Sequence, residues 1–196
     1  MERFGFVGLP NAGKSSLYNA LAGGGALAAP YAFATVDPNV GVAKVLDSRL
    51  DALAEMSKSK NVIPTAVQFV DIAGLVKGAS QGEGLGNRFL AHIREVDATV
   101  FVLRAFEDTD VPGSSDPAEQ LEILELELIT ADLEAMEKHI DKRRKAARSN
   151  PVLAPEVAAM EAAIDVLGAG TPVWRAGLGD DTLALLKAEQ LLTSKP

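Results

Sequence analysis

Eight residues near the amino end constrain this chain more than any others: Gly8-Leu9-Pro10-Asn11-Ala12-Gly13-Lys14-Ser15. They fit the spacing G-x-x-x-x-G-K-[ST], follow a short apolar strand pattern, Phe4 to Val7, and open into a helical pattern, Ser16 to Leu21. In such a loop successive backbone N–H groups turn inward as an anion nest, and the helix that follows adds the positive end of its dipole. Asn11, Ala12, Gly13, Lys14, Ser15 and Ser16 are therefore the candidate phosphate cradle. Lys14 would reach the β- and γ-phosphates as a point charge, and the Ser15 hydroxyl would ligate the Mg²⁺ that bridges them. An ordinary glycine-rich turn would match the four fixed positions in roughly one chain of this length in a hundred.

With 196 residues, 47% of them hydrophobic, the chain can bury a real core. No apolar run approaches the length of a membrane span and no signal-peptide pattern opens the sequence, so no membrane contact is expected and the cytoplasm is the expected compartment. The absence of cysteine excludes disulfides and thiolate metal sites. A net charge of −8 argues against bulk nucleic-acid binding, yet the charge is unevenly placed: residues 107–137 carry eleven acids and no base, whereas residues 138–148 carry six bases and one acid.

Past the first helix, Gly23-Gly24-Gly25 begins an irregular stretch to Asn39, in which Pro30 and Pro38 discourage regular structure. Val40, Val42 and Val45-Leu46 suggest a strand, Ser48 a capped helix through Met56, and Ala66 to Val70 a second strand closed by Asp71. A glycine-rich loop then leads to an amphipathic helix near 87–95, and Ala98 to Leu103 reads as a buried parallel strand. The order predicts a three-layer α/β sheet. From Asp116-Pro117 two apolar stripes, Leu121/Leu124/Leu128/Ala131/Ala135 and Ile129/Leu133/Met136/Ile140, run at helical spacing for about eight turns. Pro151 and Pro155 break that helix, and a second one with Val157, Met160, Ile164 and Leu167 on one face should fold back, making a hairpin that projects from the sheet. Thr182 to Leu192 reads as a last helix returning to the body.

A triphosphatase needs more than a cradle. Thr35 lies in the irregular segment, where its hydroxyl would complete the metal shell once a γ-phosphate holds the loop. Asp71-Ile72-Ala73-Gly74 fits D-x-x-G: Asp71 would hold Mg²⁺ from the strand end, through the groups bound to the ion, and the Gly74 N–H would meet a γ-phosphate oxygen. Lys14, Thr35 and Gly74 are the candidate catalytic positions, and Ser15, Thr35 and Asp71 the metal positions. Leu75 stands where Ras-like enzymes place a water-orienting glutamine, so that task falls elsewhere. Two readings of Asn11 stay open: it braces the loop, or its carbonyl oxygen holds a K⁺ against the phosphates.

The runs Gly8 to Ser16, Phe33-Ala34-Thr35-Val36-Asp37-Pro38-Asn39, Asp71 to Asn87 and Phe89-Leu90-Ala91-His92-Ile93-Arg94 together resemble the YchF-type Obg-like ATPases. The resemblance runs nearly end to end. It implies a Ras-like G domain, carried incompletely here, with a coiled-coil insertion: 1–117 for the first part of the G domain, 118–181 for the insertion and 182–196 for the return. It also implies a base-reading motif and a TGS domain beyond Pro196, a preference for ATP over GTP, and ribosome or RNA association, for which Lys138, Lys142, Arg143, Arg144, Lys145 and Arg148 form a basic tip. Acids early and bases late along the long helix also suit its dipole and its solubility. The loop after Phe106-Glu107-Asp108, where the family carries a histidine linked to hydrolysis, has none, and His92 reads as structural. The expected function is Mg²⁺-dependent ATP hydrolysis gated by switch loops. The alternatives are a GTPase of the same fold and a nucleotide-gated ribosome- or RNA-binding module with only slow hydrolysis; a small-molecule kinase fits less well.

Overall fold

A computed structural model describes residues 1–22, 39–72, 85–107 and 113–196. Four strands, β1 (Arg3–Val7), β2 (Asn39–Lys44), β3 (Ala66–Asp71) and β4 (Ala98–Phe101), form one sheet in the order β2-β3-β1-β4. β1 runs parallel to β3 and β4, and β2 pairs antiparallel with β3. The register aligns Phe6 with Asp71 and Val7 with Phe101, so the carboxyl ends of the central strands are level.

Alternation along the strands divides the core into two layers. Phe6 and the partly buried Phe69, Val100 and Val102 face α1 (Lys14–Ala22) and pack with Tyr18 and Ala22. Val7, Val70 and the partly buried Phe101 face the other way, toward α3 (Leu85–Arg94) and the long helix α4 (Pro117–Ser149), with Phe89, Leu90, Ile93, Leu124 and Leu128. The expected three layers are present. Gly41 is required where α1 crosses β2: a Cβ there would stand 2.4 Å from the Ala22 Cβ.

α4 begins where sequence chemistry says it should. The Asp116 side chain accepts from the Ala118 N–H and Pro117 occupies the first turn. The helix runs 33 residues, somewhat longer than eight turns. Its two stripes serve two cores. Leu124, Leu128 and Ala131 belong to the core of the sheet, whereas Ile129, Met136 and Ile140 build a second cluster with Ala159, Met160, Ala163 and Leu167 of α5 (Ala154–Gly168) and Leu186 of α6 (Asp180–Leu186). The hairpin therefore projects only in its distal part; its root lies in the wall of the body.

Several boundaries differ from expectation. β4 ends at Phe101 rather than Leu103, and its residues are half-buried rather than buried, because β4 is an edge strand whose outer side is covered in part by the returning terminal residues. Asp47, not Ser48, caps α2 (Ser48–Ser57), because its carboxylate accepts from the Arg49 amide and also pairs with the Arg49 guanidinium. β2 stops at Lys44, and Leu46 is 90% exposed. The last helix ends at Leu186: a 3-10 turn and a left-handed Gln190 (φ 51°) redirect the chain so that Leu191 enters the hairpin cluster and Leu192 the body core. The terminal residues then rejoin the sheet, with the Thr99 amide donating to the Pro196 carbonyl at 2.8 Å and the Lys195 ammonium to the carbonyls of Arg94 and Val96.

Candidate functional site

The site forms at the carboxyl ends of β1 and β3, where parallel strands of an open sheet leave a crevice. β1 ends at Val7, and the chain turns through Asn11 (φ 63°) and Gly13 (φ 96°) before α1 begins at Lys14. The two left-handed positions bend the loop back on itself. Gly8 admits no side chain, since a Cβ would lie 2.4 Å from the Val102 carbonyl oxygen.

Lys14 is 7% exposed, and its ammonium donates to the carbonyls of Gly8 at 3.1 Å and Leu9 at 2.9 Å. Burial lowers its pKa to about 8, and the negative charge of Asp71 opposes that shift. A cation so placed carries its own electrostatic cost, which an anion in the loop would relieve. Beside it, the Ser15 hydroxyl donates to Asp71 Oδ2 at 2.6 Å, and Asp71 is fully buried at the end of β3. The sequence places these residues 56 positions apart; the parallel pairing of β1 and β3 brings them together.

Of the candidate residues, the structure thus brings Lys14, Ser15 and Ser16, in the first turn of α1, and Asp71, at the end of β3, to a loop that contains Asn11, Ala12 and Gly13. Thr35 and Gly74 lie outside the described residues, as do the rest of the irregular stretch and the D-x-x-G loop. An oxygen-only donor pair, one hydroxyl backed by one carboxylate, suits a hard cation such as Mg²⁺. His92 sits on α3 and is partly buried.

Two buried polar residues, one beside the site and one toward the other end of the sheet, escaped sequence reasoning. Gln120, 1% exposed, binds the main chain of Arg104. Asp132, also 1% exposed, accepts from the amides of Leu192 at 2.9 Å and Thr193 at 2.8 Å and from the Thr193 hydroxyl at 2.8 Å. Asp132 carried a signal: it interrupts the apolar stripes, between Ala131 and Leu133, where a solvated acid has no place. Gln120 carried none.

A family model described as 50S ribosome-binding GTPase matches residues 3–148. The ribosome-binding ATPase YchF of Bacillus subtilis (strain 168) is 46% identical over 196 residues, covering 98% of this chain and 54% of its own length. Its counterpart from Escherichia coli O157:H7 is 43% identical over the same shares. The solved structure of the Schizosaccharomyces pombe YchF GTPase superposes with a TM-score of 0.79 at 36% identity, covering 100% of this chain and 55% of that one. The chain spans about half the length of the curated relatives it matches.

Proposed function

This chain belongs to the 50S ribosome-binding GTPase family of P-loop proteins, on its YchF branch, and from that premise we propose that it binds and hydrolyses a nucleoside triphosphate, ATP before GTP, and that the whole protein works on the ribosome. The observation that carries the chemistry is the convergence of the buried Lys14 ammonium with the Ser15–Asp71 pair at one strand end.

In this reading the backbone amides from Asn11 to Ser16 wrap the phosphate chain, and Lys14 exchanges the Gly8 and Leu9 carbonyls for β- and γ-phosphate oxygens. Its charge there opposes the negative charge that develops on the leaving diphosphate. Ser15 would turn its hydroxyl from Asp71 to Mg²⁺, with Asp71 behind it orienting the ion's bound water. Mg²⁺, when bound, supplies charge neutralisation across the two terminal phosphates. Thr35 and Gly74 would complete the shell and the γ-phosphate contacts from the switch loops. The group that orients the attacking water is left to the backbone, a partner or a K⁺ held by Asn11. The partition into 1–117, 118–181 and 182–196 belongs to the same proposal; the distal hairpin has an apolar cluster of its own, which Leu186 and Leu191 of the return also join, while Leu124 and Leu128 pack in the body core. So does a ribosomal or RNA partner met by the basic tip, and with it the cytoplasm.

The names of the relatives divide between ATPase and GTPase, so the base is an experimental question. A calorimetric titration of the chain with Mg²⁺–ATP and Mg²⁺–GTP answers it. ATP should bind the more tightly, and Lys14→Ala should weaken it by about a hundredfold, the loss of two charge-assisted hydrogen bonds. Equal binding by the Lys14→Ala chain would sink the assignment.

A further inference from the structure

The phosphate loop has a rear wall, and that wall is made of backbone. The Val102 amide donates to the Val7 carbonyl at 2.8 Å, and the Val102 carbonyl oxygen fills the space where a Gly8 side chain would stand. Leu9 and Leu103 each pack against the body core. Val102 therefore backs Gly8, whose carbonyl, with that of Leu9, holds Lys14. Yet β4 ends at Phe101, so the ladder does not fix this wall further along.

One side chain does. The Arg104 amide donates to Gln120 Oε1 at 2.9 Å, and Gln120 Nε2 donates back to the Arg104 carbonyl at 2.7 Å. The same Nε2 reaches the carbonyls of Ser114 at 3.0 Å and Asp116 at 3.2 Å. A primary amide accepts and donates from one plane, so Gln120 treats Arg104 as a neighbouring strand would, and it joins the two flanks of residues 105–113 while doing so. Both partners are buried, where an unmade hydrogen bond is expensive.

We propose that Gln120 is a positioning residue for the phosphate loop: by gripping the main chain of Arg104 it holds Val102 against Val7 and Gly8. The root of α4 and the nucleotide site are then one mechanical unit, and the first turn of the insertion sets the stiffness of the cradle. The effect on nucleotide affinity rests on the reading above; the effect on the loop does not.

The test compares Gln120→Ala and Gln120→Glu with Asp116→Ala, which removes the α4 cap without touching Arg104. Hydrogen exchange is followed in the unliganded chain over residues 4–17, where the Ala12 and Leu17 amides bond to the Leu9 and Gly13 carbonyls. Affinity for Mg²⁺–ATP and Mg²⁺–GTP is then measured by calorimetry. Both Gln120 variants should speed exchange in the loop and weaken the nucleotide by about tenfold, while Asp116→Ala leaves both unchanged. Gln120→Glu adds an internal control. Its protonated carboxyl both donates and accepts, so after correction for intrinsic rates the loop should recover protection in acid and lose it above neutral pH. Unchanged loop exchange in both Gln120 variants would overturn the proposal, and so would equal loosening by Asp116→Ala. If the unsubstituted chain bound neither nucleotide, the nucleotide reading would fall, and exchange would still decide the role of Gln120.

Discussion

The body of this molecule and the tip of its hairpin carry charge in opposite ways. In the body, Lys14, Asp71 and Asp132 are each no more than 7% exposed, and each holds a particular piece of backbone or hydroxyl. At the tip, charges are dense and wet. Arg143 lies between Glu156 at 3.0 Å and Glu189 at 3.5 Å, and Arg144 pairs with Glu161 at 2.9 Å and Asp141 at 3.5 Å. Lys138 approaches Glu134 at 4.0 Å, and among the described residues no ion pair involves Lys142, Lys145 or Arg148. Removing a body charge strands its partners in a dry interior, whereas removing a tip charge hands its partner to water. Position, not charge count, decides what each residue is worth.

The largest effect should come from Asp132, through which α4 holds the segment returning to the sheet. Asp132→Asn keeps the shape but turns an NH₂ group toward a backbone N–H, and should cost about 3 kcal/mol in chemical denaturation. Burial raises the Asp132 pKa, against the Leu192 and Thr193 hydrogen bonds and the nearby Arg94. The sign follows: a carboxyl that binds its proton more tightly when folded makes its contribution largest in acid and loses part of it as pH rises through the raised pKa. If Asp132→Asn were no less stable than the parent, body and tip would not differ in kind.

Lys14 sharpens the same contrast through pH. Burial lowers its folded pKa to about 8 from 10.5, so the folded chain sheds this proton first, and folding gains stability between those two values as pH rises. Ligand binding responds with the opposite sign. A triphosphate favours the charged ammonium, so binding near pH 8 should take up a proton, and affinity should fall by up to about tenfold per pH unit above it. Titrations in buffers of different ionisation enthalpy read the proton directly. No uptake would mean that the loop already solvates Lys14 as well as phosphate does, and that its burial is without consequence.

What the sequence disclosed follows from distance along the chain. The strand–turn–helix unit around Gly8 to Ser15 was legible because its parts are contiguous, and Asp71 at the end of its strand because a carboxylate closing an apolar strand is a local pattern. The helix stripes were legible for the same reason, although not that they face two cores. Gln120 and Asp132 were not read, because their partners lie 16 and about 60 residues away; nothing near Gln120 announces a buried amide, and the break that Asp132 makes in the apolar stripes marks a buried acid without naming its partner. The Gly8–Val102 contact was hidden likewise: glycine at that position satisfies a motif, and its second reason, a carbonyl of another strand, is tertiary.

The smallest stability effect belongs to the tip, and it separates the two readings of its bases. Arg144 has two acidic partners but stands in solvent, so Arg144→Ala should leave the melting temperature unchanged. Replacing Lys142, Lys145 and Arg148 together by alanine should be equally silent in the melt. For RNA the three should matter more than Arg144, since their charge is not already committed to neighbouring carboxylates. If each meets one phosphate of single-stranded RNA, the slope of log affinity against log salt should flatten by about 2 in the triple variant. Arg144→Ala should flatten it by less than about 0.7, one base's full share. A flattening of about 0.7 would mean that the Glu161 and Asp141 pairs open freely and all six bases form one diffuse field. A slope that neither variant changes would leave the bases with a single task, keeping an exposed helical hairpin soluble, and the tip would then differ from the body in having no partner to hold.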